Sequence, residues 1–269
     1  MKENINLEDT DRLIFQRVAA LEPITLDQMS AIKLMNRTDT KFVTNKQTLA
    51  RLLELAQGKY YAQFNNGGFV ATYMTTYWDT DDHVYYMQHH NGRANRQKVR
   101  VRTYMDSDTT FLEVKTKNNH GRTKKKRIEV PSQRDLRDSD DFLMQYAGRT
   151  LDTIHATVRN RFHRITLVNM GKTERLTIDF DISFRNFETQ QERGTGYLVN
   201  IELKRDVNVI SPVLELLRLL RVKPSGFSKY CIGSVMTNPT LKNNLFRPKL
   251  IRIRHLVGDD AVTLAPDEQ

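Results

Sequence analysis

The sequence predicts an α+β fold built on an antiparallel sheet, and three features of its pattern indicate this class. Apolar residues recur at helical spacing before Gly58. After Gly68 the pattern changes to a period of two, which is typical of strands with one buried face. Shorter helical segments interrupt the later strands, and the sequence contains no internal repeat that would indicate a solenoid.

The first predicted helix carries apolar residues from Leu13 to Leu21 and ends before Pro23, because proline breaks a helix interior. A later helix is predicted to begin with Thr44 as its N-cap and Gln47 as its capping-box partner. The predicted helices after the first cover residues 26–34, 44–57, 132–146, 211–220 and 228–236.

Seven strands are predicted from the alternation of apolar and polar residues. They cover residues 69–79, 97–105, 110–117, 123–130, 158–169, 174–184 and 196–205. Residues 1–240 are predicted to form a single domain with N-terminal helices, and 241–269 a basic C-terminal appendage.

The charge balance favours a polyanionic partner. The chain has 42 basic and 32 acidic residues, which gives a net charge of +10. The single cysteine, Cys231, excludes an internal disulfide and a multi-cysteine zinc site. The sequence lacks an apolar signal core and any apolar run long enough to cross a bilayer, so we expect a cytoplasmic protein.

Basic residues share one face of several predicted strands. In the segment KVRVR (98–102), the three bases alternate with two valines, so they point to the opposite side from the apolar face. The same alternation adds Arg37, Asp39, Lys41, Glu113, Lys115, Lys117, Lys125, Arg127, Glu129, Arg164, Arg175, Asp179, Asp181, Glu202 and Lys204 to charged faces.

Two interpretations of these charged faces remain open. An ordinary sheet would turn them to solvent and its apolar side to the core. A closed barrel would turn them inward, with helices covering its apolar outside. Like charges in such a lumen repel one another, so water or a polyanion would have to fill it. A linear triphosphate or a longer phosphate chain has the matching charge and shape.

The charged segments resemble the VTC domain, the catalytic module of polyphosphate polymerases in the triphosphate tunnel metalloenzyme superfamily. The resemblance covers roughly residues 35–235. It is carried, in order, by NRTDTKF (36–42), YWDT (77–80), HHNG (89–92), KVRVR (98–102), LEVK (112–115), RITLV (164–168), RLTID (175–179), IELK (201–204) and FSKY (227–230). The paired-glutamate signature of the wider superfamily is absent, and RTDTK (37–41) stands in its place, as expected for the VTC branch.

The resemblance implies a closed antiparallel barrel of about eight strands around a basic tunnel, with helices packed outside. It implies transfer of the ATP γ-phosphoryl group to a growing polyphosphate chain, with Mn²⁺ or Mg²⁺ as cofactor. ATP and polyphosphate would be the ligands, and family members often work beside an integral-membrane partner. A nucleic-acid partner is not expected, because the basic strands lack an aromatic stacking platform.

The site residues follow from the resemblance, position by position, and from the shared charged face. The residues assigned to catalysis are Lys41, Arg100, Arg102, Lys115, Lys125, Arg164, Arg175 and Lys229. Those assigned to substrate binding are Arg37, Lys117, Arg127, Lys204 and Ser228. Glu202 is the first predicted metal ligand and Glu113 the second, and an ion-pair role is the alternative for each.

Three other functions remain open at this point. The same tunnel could hydrolyse triphosphate or nucleotides with water as acceptor, or it could bind polyphosphate or inositol phosphates without catalysis. The charge of +10 alone would also suit a nucleic-acid binder.

Overall fold

The computed structural model describes residues 7–30, 37–119, 122–206 and 209–257. The helices in these ranges are α1 (Leu7–Ala19), α2 (Leu26–Ser30), α3 (Lys46–Leu55), α4 (Val84–His90), α5 (Asp140–Ala147), α6 (Pro212–Leu219), α7 (Lys229–Thr237) and α8 (Arg247–Val257). The strands are β1 (Glu22–Ile24), β2 (Arg37–Asn45), β3 (Tyr60–Gln63), β4 (Ala71–Asp79), β5 (Arg96–Tyr104), β6 (Thr109–Lys117), β7 (Thr123–Glu129), β8 (His155–Asn169), β9 (Glu174–Asn186), β10 (Glu192–Gly194) and β11 (Leu198–Asp206).

One large sheet organises the molecule and confirms the α+β prediction. Its main path runs β2-β11-β9-β8-β4-β5-β6-β7, and neighbouring strands on this path are antiparallel. Strands β1, β3 and β10 pair outside this path. All seven strands predicted from the period of two are present, each shifted by at most a few residues.

Among the described residues, the strand pairing does not close the sheet into the predicted barrel. Within the described residues, β2 and β7 are the two ends of the path, and no ladder joins them. The free edge of β2 is instead occupied by the segment before α7. Phe42 forms an isolated bridge with Pro224, and the Ser225 amide donates to the Lys41 carbonyl at 2.8 Å. This segment therefore takes the edge that a closing strand would need.

The sheet curls, even though it does not close. Lys41 on β2 donates to the Phe227 carbonyl at 2.9 Å, and Lys98 on β5 donates to the Ser228 hydroxyl at 2.9 Å. Four strands lie between β2 and β5 in the sheet. Two side chains from such distant strands reach adjacent residues only if the face that carries them is concave.

Helices α1, α3 and α6 cover the convex, apolar side of β8, β9 and β11. Leu49 and Leu53 of α3 pack in one buried cluster with Ile178 and Ile201 of the sheet. Loss of contact between these apolar surfaces and water is the main stabilising contribution here. These helices lie outside the curl, as predicted.

Helix α7 corrects the prediction that the helices pack outside. Its Lys229 reaches Asp179, and its Tyr230 stacks on Tyr77, which lies opposite Arg100 on the charged face. At Gly233 a methyl group would overlap the Phe184 ring, so only glycine allows this close approach. The apolar sequence of α7 suits this position, because the helix fills one end of the concave side.

The predicted helix boundaries differ from those observed for local reasons. Thr44 belongs to β2, and the side chain of Asn45 caps α3 by accepting from the Thr48 amide at 3.0 Å. Helix α5 begins only at Asp140, and of the helix predicted over 26–34 the described part is α2. Helix α4 was not predicted. It contains His90, which is buried.

Residues 241–257, the described part of the predicted C-terminal appendage, are folded onto the rest of the protein. Phe246, Ile253 and Val257 are buried in the same cluster as Tyr86 of α4. None of the described helices combines the length and the apolar character needed to cross a bilayer. The domain boundary after residue 240 stays a prediction.

Candidate functional site

A buried carboxylate fixes an arginine at the centre of the concave face. Arg100 and Glu113 lie opposite each other on β5 and β6. The Glu113 carboxylate, which is fully buried, accepts from Arg100 Nε at 2.7 Å and from Lys125 Nζ at 2.9 Å. Burial opposes ionisation, but Arg100, Arg102 and Lys125 hold the pKa of Glu113 well below its usual range. Glu113 is therefore an anion that orients Arg100.

A second buried carboxylate, on β9, also holds an arginine of the concave face in place. Asp179 on β9 accepts from Arg164 Nε at 2.6 Å and Nη2 at 2.9 Å, and Lys229 of α7 also donates to it. Although burial opposes ionisation, Arg164 and Lys229 lower the pKa of Asp179. Lys229 Nζ lies 4.0 Å from the centroid of the Phe162 ring, which adds a cation–π contact.

Beside these two groups, the concave face carries two further cations, Arg102 of β5 and Lys115 of β6. Arg102 is buried, donates to the Thr75 hydroxyl at 3.1 Å and lies over the Tyr73 ring. No described carboxylate lies within 4.0 Å of Arg102 or Lys115. Arg100 and burial together lower the pKa of Lys115 well below its usual value, and burial followed by Arg100 lowers that of Arg102. The site is built to receive negative charge from a ligand.

Glu202 differs from the other two carboxylates. It lies on β11 opposite Lys41 and Thr177, and its nearest described cation is Lys204 Nζ at 3.9 Å. Burial raises its pKa, but the fields of Lys41, Lys204 and Lys115 outweigh burial and bring the pKa of Glu202 to about 2. The carboxylate is thus ionised, and its oxygens are not held by a close ion pair.

Two oxygen atoms beside Glu202 lack hydrogen-bond partners among the described residues. They are the buried Thr177 Oγ1, directly opposite Glu202, and the buried Asn200 Oδ1, two residues before it on the same face. Unpaired buried oxygens are costly unless a ligand satisfies them. Carboxylate, amide and hydroxyl oxygens suit a hard divalent cation such as Mg²⁺ or Mn²⁺. In the described part of the chain no three His, Cys, Asp or Glu side chains form a metal cluster, so the substrate would have to complete the ligand set.

The segment before α7 brings a hydroxyl to the same face. Ser228 caps α7 by accepting from the Cys231 amide at 3.3 Å, and its hydroxyl also receives the Lys98 bond. Burial, together with the nearby Lys41 and Arg100, lowers the pKa of Lys98 to about 8. Lys98 thus belongs to the site, although the sequence assignment left it out. Its alternation with Arg100 and Arg102 was the signal that could have included it.

The remaining predicted site residues differ in how far their side chains are exposed to solvent. Arg175 and Lys204 face each other on β9 and β11 and are partly buried. Strand β7 is largely exposed, and its Arg127 stacks on the Phe111 ring at 4.2 Å. Lys117 lies near the end of β6 and is half-buried. Arg37 begins β2, but its side chain lies outside the described part of the structure.

One residue that was placed on the charged face points the other way. Asp181 has a φ of 50° at an irregularity where β8 and β9 lose register. It pairs with Lys46 of α3 at 2.6 Å, on the convex side of the sheet. A strict period of two does not continue through a bulge, so the alternation assigned Asp181 to the wrong face.

Comparison with known proteins gives a distant structural likeness. A proposed adenylate cyclase from Vibrio parahaemolyticus has 11% sequence identity and a TM-score of 0.42, with 74% of this chain and 99% of that chain covered. One from Bacillus halodurans has 13% identity and a TM-score of 0.43, over 72% and 96% of the two chains. A proposed adenylyl cyclase from Hippeastrum, described as having a dominant triphosphatase activity, has 14% identity and a TM-score of 0.45, over 74% and 94%.

The family is shown by the sequence rather than by these structures. No curated protein matches the chain. The VTC domain matches residues 36–238, which include β2 through α7 and nearly all of the concave face. The chain therefore belongs to the VTC domain family.

Proposed function

We propose that this protein is a metal-dependent polyphosphate polymerase that transfers the γ-phosphoryl group of ATP to a growing polyphosphate chain. The observation that carries the proposal is the excess of buried and half-buried cations on one concave face. Arg100 and Arg164 are fixed there by carboxylates, while Arg102 and Lys115 have no acidic partner within 4.0 Å among the described residues. A linear phosphate chain supplies negative charge at regular spacing along such a surface.

The arginines would position the phosphates. Phosphoryl transfer passes through a loose transition state, so positioning and neutralisation of charge provide most of the catalysis. The planar guanidinium groups of Arg100 and Arg102 can each bind two phosphate oxygens, and Lys115 adds a point charge. An ionised terminal phosphate is already a nucleophile, so the proposal requires no general base.

The metal would be held at Glu202. Thr177 Oγ1 and Asn200 Oδ1 are the neighbouring oxygens available to it or to its water ligands. When bound, Mn²⁺ or Mg²⁺ supplies positive charge to the phosphate oxygens. Glu113, the second predicted ligand, has both carboxylate oxygens in ion pairs, so in this proposal it serves to orient Arg100.

Incubation with ATP and Mn²⁺, followed by electrophoresis and phosphorus NMR, tests the proposal. A polymerase produces long phosphate chains and ADP. Release of orthophosphate without polymer would contradict the polymerase and indicate a hydrolase. Tight tripolyphosphate binding without turnover would indicate a binding module. Glu202→Gln serves as the matched control, because it keeps the size of the side chain while removing its charge.

A further inference from the structure

A second group of cations surrounds the segment before α7. Three lysines from three different elements reach residues 226–228. Lys41 of β2 bonds the Phe227 carbonyl at 2.9 Å, and Lys98 of β5 bonds the Ser228 hydroxyl at 2.9 Å. Lys249 of α8 places its Nζ only 3.7 Å from the position that a Cβ would occupy on Gly226. The three ammonium groups therefore converge on one short segment.

These cations differ from Arg100 and Arg164 of the central site, because none of them has a carboxylate partner among the described residues. In the described residues no Asp or Glu oxygen lies within 4.0 Å of Lys41, Lys98, Lys249 or Arg96. Arg100 and Arg164, by contrast, are each paired with a buried acid. Uncompensated cations held close together repel one another, and a bound polyanion relieves that repulsion.

The cluster continues the central site. Arg96, Lys98, Arg100 and Arg102 alternate along β5, so they lie on one face at steps of roughly 7 Å. Arg96 lies opposite Lys117 and Lys98 opposite Lys115 on β6. A phosphate chain that leaves Arg100 can therefore follow Lys98 toward the 226–228 segment without crossing an acidic residue of β5.

The half-buried ring of His89, in the last turn of α4, lies in the positive field of this cluster. Burial, with further contributions from Lys98, Arg96 and Lys249, lowers its pKa to about 2. Its Nδ1 is buried without a hydrogen-bond partner among the described residues. His89 is thus a neutral neighbour that adds no charge of its own.

The cluster opens to solvent at Gly226 and Lys249, which are both exposed. Lys249 lies beyond residues 36–238, the part that matches the VTC domain. The C-terminal helix α8 is held in place by its buried Ile253 and Val257. It therefore adds a cation to the site from outside the family segment.

We propose that Lys98, Arg96 and Lys249, around residues 226–228, form an additional subsite for the part of a linear polyphosphate chain that extends beyond the central phosphates. This inference rests on the proposed function, because it assigns a chain longer than triphosphate to the same site. The subsite gives the protein a preference for long chains, since only these reach Lys249.

Binding of two probes, tripolyphosphate and long-chain polyphosphate, tests the subsite by calorimetry at fixed ionic strength. We expect Lys249→Ala to weaken the long-chain Kd about three- to fivefold, the size of one partly exposed charged contact. Lys249→Glu should weaken it further, while tripolyphosphate binding stays within about twofold of the unchanged chain. Arg254→Ala is the matched control, because it removes another exposed cation from α8 and should leave both affinities unchanged.

The subsite is contradicted if the Lys249 variants leave long-chain binding unchanged, or if they weaken both probes equally. An effect of Arg254→Ala as large as that of Lys249→Ala would also contradict it, since net charge would then explain the result. Failure of the proposed function is distinguishable, because the unchanged protein would then form no polymer from ATP and Mn²⁺, whereas failure of the subsite shows only in the long-chain affinities of the Lys249 variants. Thermal melting of each variant confirms that its fold is retained.

Discussion

Two buried carboxylates, on β6 and β9, are bound by protein cations in the same way, and Glu202 on β11 is not. On β6, Glu113 is bound by Arg100 and Lys125, and on β9, Asp179 is bound by Arg164 and Lys229. Among the described residues, Lys204 is the only cation within 4.0 Å of the Glu202 carboxylate, at 3.9 Å. The three acids share a concave face, yet two are bound by protein cations, and the third has no close ion pair among the described residues.

This difference separates positioning from ligand binding. A carboxylate with both oxygens in ion pairs keeps an arginine in one orientation, so less rotamer entropy is lost when phosphate binds. A buried carboxylate without close partners has an unfavourable desolvation free energy unless a cation binds to it. We therefore expect substitutions of Glu113 and Asp179 to affect arginine placement and stability, and substitution of Glu202 to affect metal dependence.

The largest effect is expected from the arginines themselves. Arg100→Ala combined with Arg102→Ala removes two charge-assisted contacts, each worth about 1.5–3 kcal/mol, so tripolyphosphate affinity should fall at least about a hundredfold. Thermal melting with and without tripolyphosphate measures this loss. Protection that persists in the double variant would show that these side chains do not contact the ligand.

Glu202→Gln should lower kcat about a hundredfold while tripolyphosphate binding survives, because the metal position is lost and the phosphate cations remain. Titration of Mn²⁺ by calorimetry provides the readout that does not depend on turnover. Glu113→Gln is the comparison, and it should retain Mn²⁺ binding. Equal loss of Mn²⁺ binding in both variants would contradict the distinction between the two acids.

Asp179→Asn should destabilise the fold by about 3 kcal/mol, because it leaves Arg164 and Lys229 without their buried counter-ion. The folded pKa of Asp179 is lowered, so its stabilisation is complete above the ordinary aspartate pKa and is lost as the pH falls below it. Urea unfolding from neutral to acidic pH measures both effects. The variant should be less stable at neutral pH and lose less stability on acidification.

Phosphate affinity should decrease at alkaline pH. Burial and the neighbouring Arg164 lower the pKa of Lys229 to about 8, although Asp179 opposes this shift. Phosphate binds the protonated lysine, so affinity is constant below that pKa and falls about tenfold per pH unit above it. Lys229→Arg stays charged and should reduce this dependence. An unchanged pH profile in Lys229→Arg would contradict the assignment.

Lys125→Ala should have the smallest effect. Its side chain is 40% exposed, and Arg100 still holds Glu113, so we expect a loss of less than about 1 kcal/mol in unfolding free energy. Urea unfolding measures it beside Asp179→Asn. A loss as large as that of Asp179→Asn would contradict the small contribution assigned to this partly exposed lysine.

Alternation along strands predicted the charged face well where the strands are regular. Arg100 and Glu202 were assigned correctly to that face because their strands keep a period of two. Arg164 was also assigned correctly, because the irregularity between β8 and β9 lies before it. Asp181 was assigned wrongly because a bulge interrupts β9. The ion pairs of Glu113 and Asp179 join different strands, so a single sequence shows the charges and not their partners.

Helices α4 and α7 depend on contacts that the pattern of apolar and polar residues does not show. The start of α4 is stabilised by buried Asp79, which accepts from the amides of Tyr85 and Tyr86 at 2.9 and 2.8 Å. His83 precedes the helix in a left-handed conformation, without the usual capping sequence. Helix α7 was predicted as a helix, but its place inside the curl depends on the long-range fit of Gly233 against Phe184.

A crystal structure with tripolyphosphate and Mn²⁺ tests the central claim most directly. We expect the phosphates on the concave face, in contact with Arg100, Arg102 and Lys115, and the metal at the Glu202 carboxylate. Density for phosphate only on the exposed bases of β7 or on the convex surface, with the concave face empty, would contradict the account.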